Sequence, residues 1–357
     1  MILPLDSILS SSHPIPPPPP PPVSPYGVFH GTLFQYSSSP SLVAFESVSS
    51  LNQPNNNNKC ILLGGLSDGL IPLPYTKLLE ETCHSIGWSL IQPLFSSSYT
   101  GFGHGSIDQD GLELHMLLTY LIHHHQATNF ALIGHSTGCQ ISIHFLNHEQ
   151  EFATTTQHVR VVVLQAPVSD REYPMFQNLH SYQEHVHLAQ DMIANHQGEE
   201  MMPRKVFWAP ITASRYSSLH DVDGQEDFFS SDLTDAQLHE RFKGVRTLGK
   251  QGRIKVLVAL SEEDEYVPPT VDIQILLQRL CHAMNHDEEE ENKEKIQSFH
   301  DMDAWTKLSN MDSYQKDTIT ARPLVLHHAN HNLSKGDVSL FIEQVKQMLH
   351  LVTNPPS

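Results

Sequence analysis

The stretch that most constrains this chain is Asn129-Phe130-Ala131-Leu132-Ile133-Gly134-His135-Ser136-Thr137-Gly138. An apolar run suited to a buried strand ends in a G-x-S-x-G pattern, and the amphipathic segment Cys139 to Leu146 predicts a helix directly after it. A strand that becomes a helix within about three residues must bend sharply, and the residue at the bend is held in a strained conformation. Gly134 and Gly138 suit such a bend because a Cβ at either position would meet neighbouring backbone. Ser136 is thus expected to stand above the sheet edge as a nucleophile, with the first N–H groups of the helix aimed beside its hydroxyl. The plain alternative is an incidental serine in a Gly-rich turn. The rest of the chain decides between them, because the chemistry also needs an acid and a histidine in that order.

Val159 to Leu164 and Arg253 to Leu260 are apolar runs without alternation, the pattern of strands covered on both faces of a parallel sheet. The first leads to Asp170 and the second to Asp264; a last short strand, Pro323 to Leu326, leads to His331 before a helix over Ser334 to Leu351. Ser136, Asp264 and His331 therefore each follow a predicted strand on one rim of the sheet, where open α/β sheets place their sites. A serine hydroxyl is a poor nucleophile at neutral pH, so it needs an imidazole to take its proton and a buried carboxylate to orient that imidazole. Asp170 is the runner-up acid. Among 25 histidines His331 is preferred, since Asn330 and Asn332 suit a loop while His327 and His328 read as strand residues. Upstream, the strand Lys59 to Leu63 ends in Gly64-Gly65-Leu66, where backbone can approach a substrate oxygen; the N–H of Gly65 or Leu66 is expected to join that of Thr137 in an oxyanion hole.

Tyr26 to Tyr36 and Ser41 to Val48 read as a hairpin, Trp88 to Leu94 as a strand, and Tyr75 to Ile86, Asp108 to His125 and Val271 to Ala283 as helices. Ser96 to Gly105 is expected to line the pocket; it lacks the lysine of a phosphate-binding loop. His123-His124-His125 reads as a solvated helix end rather than a metal site, because consecutive residues point to different sides of a helix. Residues from about 171 to 252 are rich in Ser and Asp with aromatics that look exposed, among them Phe207, Trp208, Phe228 and Phe229, and predict an inserted cap over the site. Residues from about 285 to 320 are acid-rich and predict a solvated loop insertion.

Residues 1 to 25 carry Pro14, Pro16 to Pro22 and Pro25, which predicts a disordered, proline-rich leader, with an SH3-type or profilin-type partner as the weaker alternative. The net charge of −19 argues against nucleic acid and anionic membranes as partners, and no apolar run reaches membrane-spanning length. Four scattered cysteines suit neither a disulfide framework nor a zinc knuckle and read as reduced thiols. With no Lys or Arg before Lys59, a secretory signal is not expected; the reading is cytoplasmic, with a plastid as the alternative.

On these residues the chain resembles the α/β-hydrolase superfamily. Within it, Gly64-Gly65-Leu66-Ser67-Asp68-Gly69-Leu70, Ser97-Ser98-Tyr99-Thr100-Gly101, Gly134-His135-Ser136-Thr137-Gly138-Cys139-Gln140, Pro167-Val168-Ser169-Asp170-Arg171-Glu172 and Asp264-Glu265-Tyr266-Val267-Pro268 are similar to a largely uncharacterised family of fungi and plants. The resemblance runs from about Tyr26 to the final helix. It implies an α/β fold, with about eight mostly parallel strands flanked by helices, and no cofactor. The expected function is a serine esterase acting on a small molecule. The alternatives are a pocket that binds a small ligand without turnover and a scaffold acting through the leader.

Overall fold

The computed structural model describes residues 26–47, 57–287 and 319–353. The proline-rich leader, and the acidic insertion between residues 288 and 318, lie outside them. Eight strands form one sheet: β1 (Gly31–Ser38), β2 (Ser41–Ser47), β3 (Asn58–Leu63), β4 (Ser89–Leu94), β5 (Asn129–His135), β6 (Val159–Gln165), β7 (Lys255–Ser261) and β8 (Ala321–Leu326). Their spatial order is β1-β2-β4-β3-β5-β6-β7-β8. The β1–β2 and β2–β4 pairs are antiparallel and every other pair is parallel. All the strands from β3 onward therefore end on one rim.

The sheet is apolar on both faces because side chains alternate across it. Ile61, Leu132, Val162 and Val258 enter one core layer, while their neighbours Leu62, Ile133, Val163 and Leu257 enter the other. The first layer is closed by α2 (Ile107–His125), α3 (Thr137–Asn147) and α10 (Ile273–Asn285), through residues such as Leu117, Phe145 and Leu280. The second is closed by α1 (Thr76–Ser85) and α11 (Val338–Thr353), through Leu79, Phe341, Val345 and Met348. Cys60 and Cys83 are buried in this second layer, Cys139 and Cys281 in the first, and all four are free thiols.

The stretch read as a single cap divides in two. A short α4 (Ala153–Thr156) precedes β6, and between β6 and β7 lie α5 (Glu172–Gln177), α6 (Leu179–Ala194), α7 (Ala213–His220), α8 (Asp235–Arg241) and α9 (Lys243–Lys250). Ala189, Met202, Val206, Ile211, Tyr216 and Leu219 form a small core of their own around α6 and α7. Phe228 and Phe229, expected to be exposed, are 3% and 1% exposed and belong to the main core, together with Leu238 of α8 and Leu248 of α9. The chain thus leaves the sheet after β6, builds a separate lobe to about residue 220, and returns beside α3 and α10. Among the described residues no helix is long and apolar enough to cross a membrane.

Candidate active site

Ser136 sits between β5 and α3 with φ 51° and ψ −121°, a conformation that side-chain-bearing residues rarely adopt. Its N–H donates to the carbonyl of Gln165 at the end of β6 (3.1 Å). Both flanking glycines are sterically required. A Cβ on Gly134 would lie 2.5 Å from the carbonyl oxygen of Gly138, and one on Gly138 would lie 2.2 Å from that of Leu63.

The loop after β8 brings His331 against the loop after β7. Nδ1 of His331 donates to Asp264, with Oδ2 at 2.8 Å and Oδ1 at 3.0 Å, and both residues are buried. The proton on Nδ1 leaves Nε2 as the basic nitrogen. Glu265 accepts the backbone N–H of His331 (2.9 Å), and the Tyr266 ring packs edge-on against the imidazole, with centroids 4.6 Å apart. Asp170, the runner-up acid, instead accepts from Nε2 of Gln140 (2.6 Å), and burial pushes its carboxyl up to about 6.

Gln165 is a buried residue at the candidate site that the sequence reading missed. Its Nε2 donates to the carbonyl of His331 (2.9 Å), which leaves Oε1 to accept from Nδ1 of His135 (2.6 Å) and from the hydroxyl of Tyr75 (3.2 Å). One buried amide thereby ties the end of β6 to the histidine loop. The His135 and His331 rings lie 4.8 Å apart, and burial, aided by His331, pushes His135 down to about 3. His135 is therefore held neutral near neutral pH. Gln165 stands directly after a predicted strand, but its amide pairs with residues 30, 90 and 166 positions away, and no local spacing encodes that.

The glycine pair after β3 lies beside the elbow: a Cβ on Gly65 would sit 3.0 Å from Cβ of Ser136. One detail differs from the reading. The N–H of Gly65 already donates to Asp68 Oδ2 (2.7 Å), so Gly65 supplies close approach, and Leu66 is left as the candidate donor. Thr137 opens α3, and a first-turn N–H has no helical carbonyl to bond.

These groups face one cavity of about 630 Å³ lined by Ser136, His331, Leu66, Asp170, Tyr266 and, from the lobe, Tyr173, Phe207 and Trp208. Two buried arginines, Arg171 and Arg215, are both engaged in ion pairs. Arg171 pairs with Asp227 (2.8 Å) and with Asp232, and Arg215 pairs with Glu226. The chain is further constrained by comparison with known proteins. A family model described as a protein of unknown function (DUF1749) matches residues 17–321, which is well over half of the chain.

The chain belongs to this family. Among relatives of known sequence, the UPF0613 protein PB24D3.06c of Schizosaccharomyces pombe is 34% identical over 70% of this chain and 82% of its own length. A protein of Aspergillus fumigatus named fusarinine C esterase sidJ is 30% identical over 74% of this chain and 86% of its own length. Among solved structures, siderophore hydrolase EstB from Aspergillus fumigatus superposes with a TM-score of 0.70 at 24% identity, covering 92% of this chain and 99% of that one. Est1E from Butyrivibrio proteoclasticus superposes with a TM-score of 0.51 at 12% identity, covering 91% and 100%. This member of the family is an α/β hydrolase in fold.

Proposed function

We propose that the protein is a serine esterase in which Ser136, His331 and Asp264 act as the triad. The observation that carries this reading is the imidazole of His331, fixed on a buried carboxylate, in the cavity that also holds the strained elbow serine. Nε2 of His331 takes the hydroxyl proton as Oγ of Ser136 attacks the ester carbonyl. Asp264 stabilises the imidazolium that forms, and the low proton affinity of His135 keeps a second charge from forming beside it. The N–H groups of Thr137 and Leu66 hold the oxyanion. The imidazolium then protonates the leaving alcohol, and water attacks the acyl-enzyme by the same route.

The lining of the cavity also bears on the substrate. It includes Asp68 and Asp170 but, among the described residues, no lysine or arginine, and the lobe adds aromatic side chains. Such a wall suits a small neutral or cationic ester better than an anionic one. The relatives named as esterases support ester hydrolysis, and fusarinine C is the first substrate to test.

The test is fluorophosphonate labelling of folded protein, followed by hydrolysis of an ester panel. Wild type is expected to label, and Ser136→Ala and His331→Ala are expected not to. Folded wild-type protein that neither labels nor hydrolyses any ester would overturn the proposal and leave ligand binding as the use of the cavity.

A further inference from the structure

On the outer side of α3, away from the cavity, His144 in the last turn and His148 at the C-cap stand one helical turn apart, and Asp108 in the first turn of α2 meets them. One ligand atom from each lies within 4.8 Å of the others. Nε2 of His144 is 2.9 Å from Oδ1 of Asp108, and the two rings are 4.3 Å apart. We propose that Asp108, His144 and His148 form a binding site for a divalent transition-metal ion, with zinc the best fit, that clasps α2 to α3.

Three features of the surroundings favour a ligand set over a chance cluster. Nδ1 of His148 donates to the carbonyl of His144 (2.9 Å), so its proton is fixed there and Nε2 is left as a bare lone pair. A metal-ligating histidine commonly has its other nitrogen held in this way. The second oxygen of Asp108 accepts from Gln225 (2.9 Å), which holds the carboxylate from its outer side. Gly111 lies under the His144 ring, where a Cβ would come within 3.3 Å of Cδ2, so the ring has room because that position carries no side chain.

Two imidazoles and a carboxylate are borderline ligands that suit zinc, with water completing a tetrahedron. Bonds of about 2.0–2.2 Å would require the ligand atoms to draw somewhat closer together. The Asp108 side chain is 62% exposed and free to make that adjustment. The ion would take the place of the proton now shared by His144 and Asp108. Eight residues of helix, or about 12 Å, separate His144 from Ser136 along α3, so the site is distinct from the cavity.

Metal-stripped full-length protein should be titrated with zinc by calorimetry and with cobalt by visible absorption, and its thermal midpoint measured with and without zinc. One saturable equivalent, a tetrahedral cobalt spectrum and a raised midpoint are expected. His148→Ala and Asp108→Ala, both near the surface, should each weaken binding at least tenfold while the circular dichroism spectrum is unchanged. His123→Ala, outside the cluster, should leave binding unchanged. Absence of saturable binding in wild type, or binding that survives both cluster substitutions, would overturn the proposal.

Discussion

Asp264 and Asp170 carry the same chemical group, follow neighbouring strands, and differ in what they touch. Asp264 holds Nδ1 of His331, whereas Asp170 holds Gln140. Asp264→Asn is therefore expected to lower kcat by about 10³- to 10⁴-fold, since an amide cannot fix the imidazole tautomer in the same way. Asp170→Asn can still accept from Gln140 and should retain most of the activity towards neutral esters. Matched kinetics on one neutral ester check this, and equal losses would remove the distinction between the two acids. The sequence made both carboxylates candidates because each lies just beyond a strand end. Choosing between them depends on how far each loop folds back, a tertiary quantity with no local signature. Ser136 was legible because its strain is written into its own glycine neighbours, while the partners of Gln165 became visible only once three strand ends met.

At the scale of elements, the elbow is a junction of three backbones. The first turn of α3 presses on the end of β3 so closely that a methyl group at residue 138 would stand 2.2 Å from the Leu63 carbonyl oxygen. Gly138→Ala should cost about 3 kcal/mol of stability through overpacking. It should also abolish fluorophosphonate labelling at temperatures where the variant is still folded; denaturant titration and labelling measure the two effects separately. Most strands and helices were readable from their runs and periods, because those elements are covered on predictable faces. The segment from 228 to 250 was not. Phe228 and Phe229 sit among serines and aspartates, and a lone aromatic pair carries no period to indicate that it turns inward. The buried Arg171–Asp227 pair joins the segment after β6 to this returning stretch, and Asp232 completes the clamp. Arg171→Ala leaves Asp227 buried without its partner and is expected to destabilise the fold by about 3–5 kcal/mol, measured by the same titration.

For the whole molecule, five buried groups give stability a definite pH profile. Burial pushes His135 down to about 3, and His144 and His220 to about 4. Unfolded histidines titrate near about 6.5, so this contribution is complete above that pH and is lost as pH falls towards 4. Burial pushes Asp110 up to about 7 and Asp170 to about 6, whereas unfolded aspartates titrate near about 3.9. Their contribution is present at low pH and is lost as pH rises through those values. Between about pH 4 and 6 the three histidines favour raising the pH and the two aspartates oppose it, and well above pH 7 all five are deprotonated in folded and unfolded chain alike. The thermal midpoint should therefore rise from about pH 4 to about pH 7 and level off above it; a midpoint that falls between about pH 4 and 6 would contradict this assignment. The four free cysteines add a kinetic view of the same molecule. Two lie on each side of the sheet, out of reach of solvent. A thiol-blocking reagent can modify them only when the chain around them opens. Cys60 and Cys83 would then time the breathing of one half of the sandwich, Cys139 and Cys281 that of the other. Matching rates would mean that the halves open together, and split rates would reveal which gives way first.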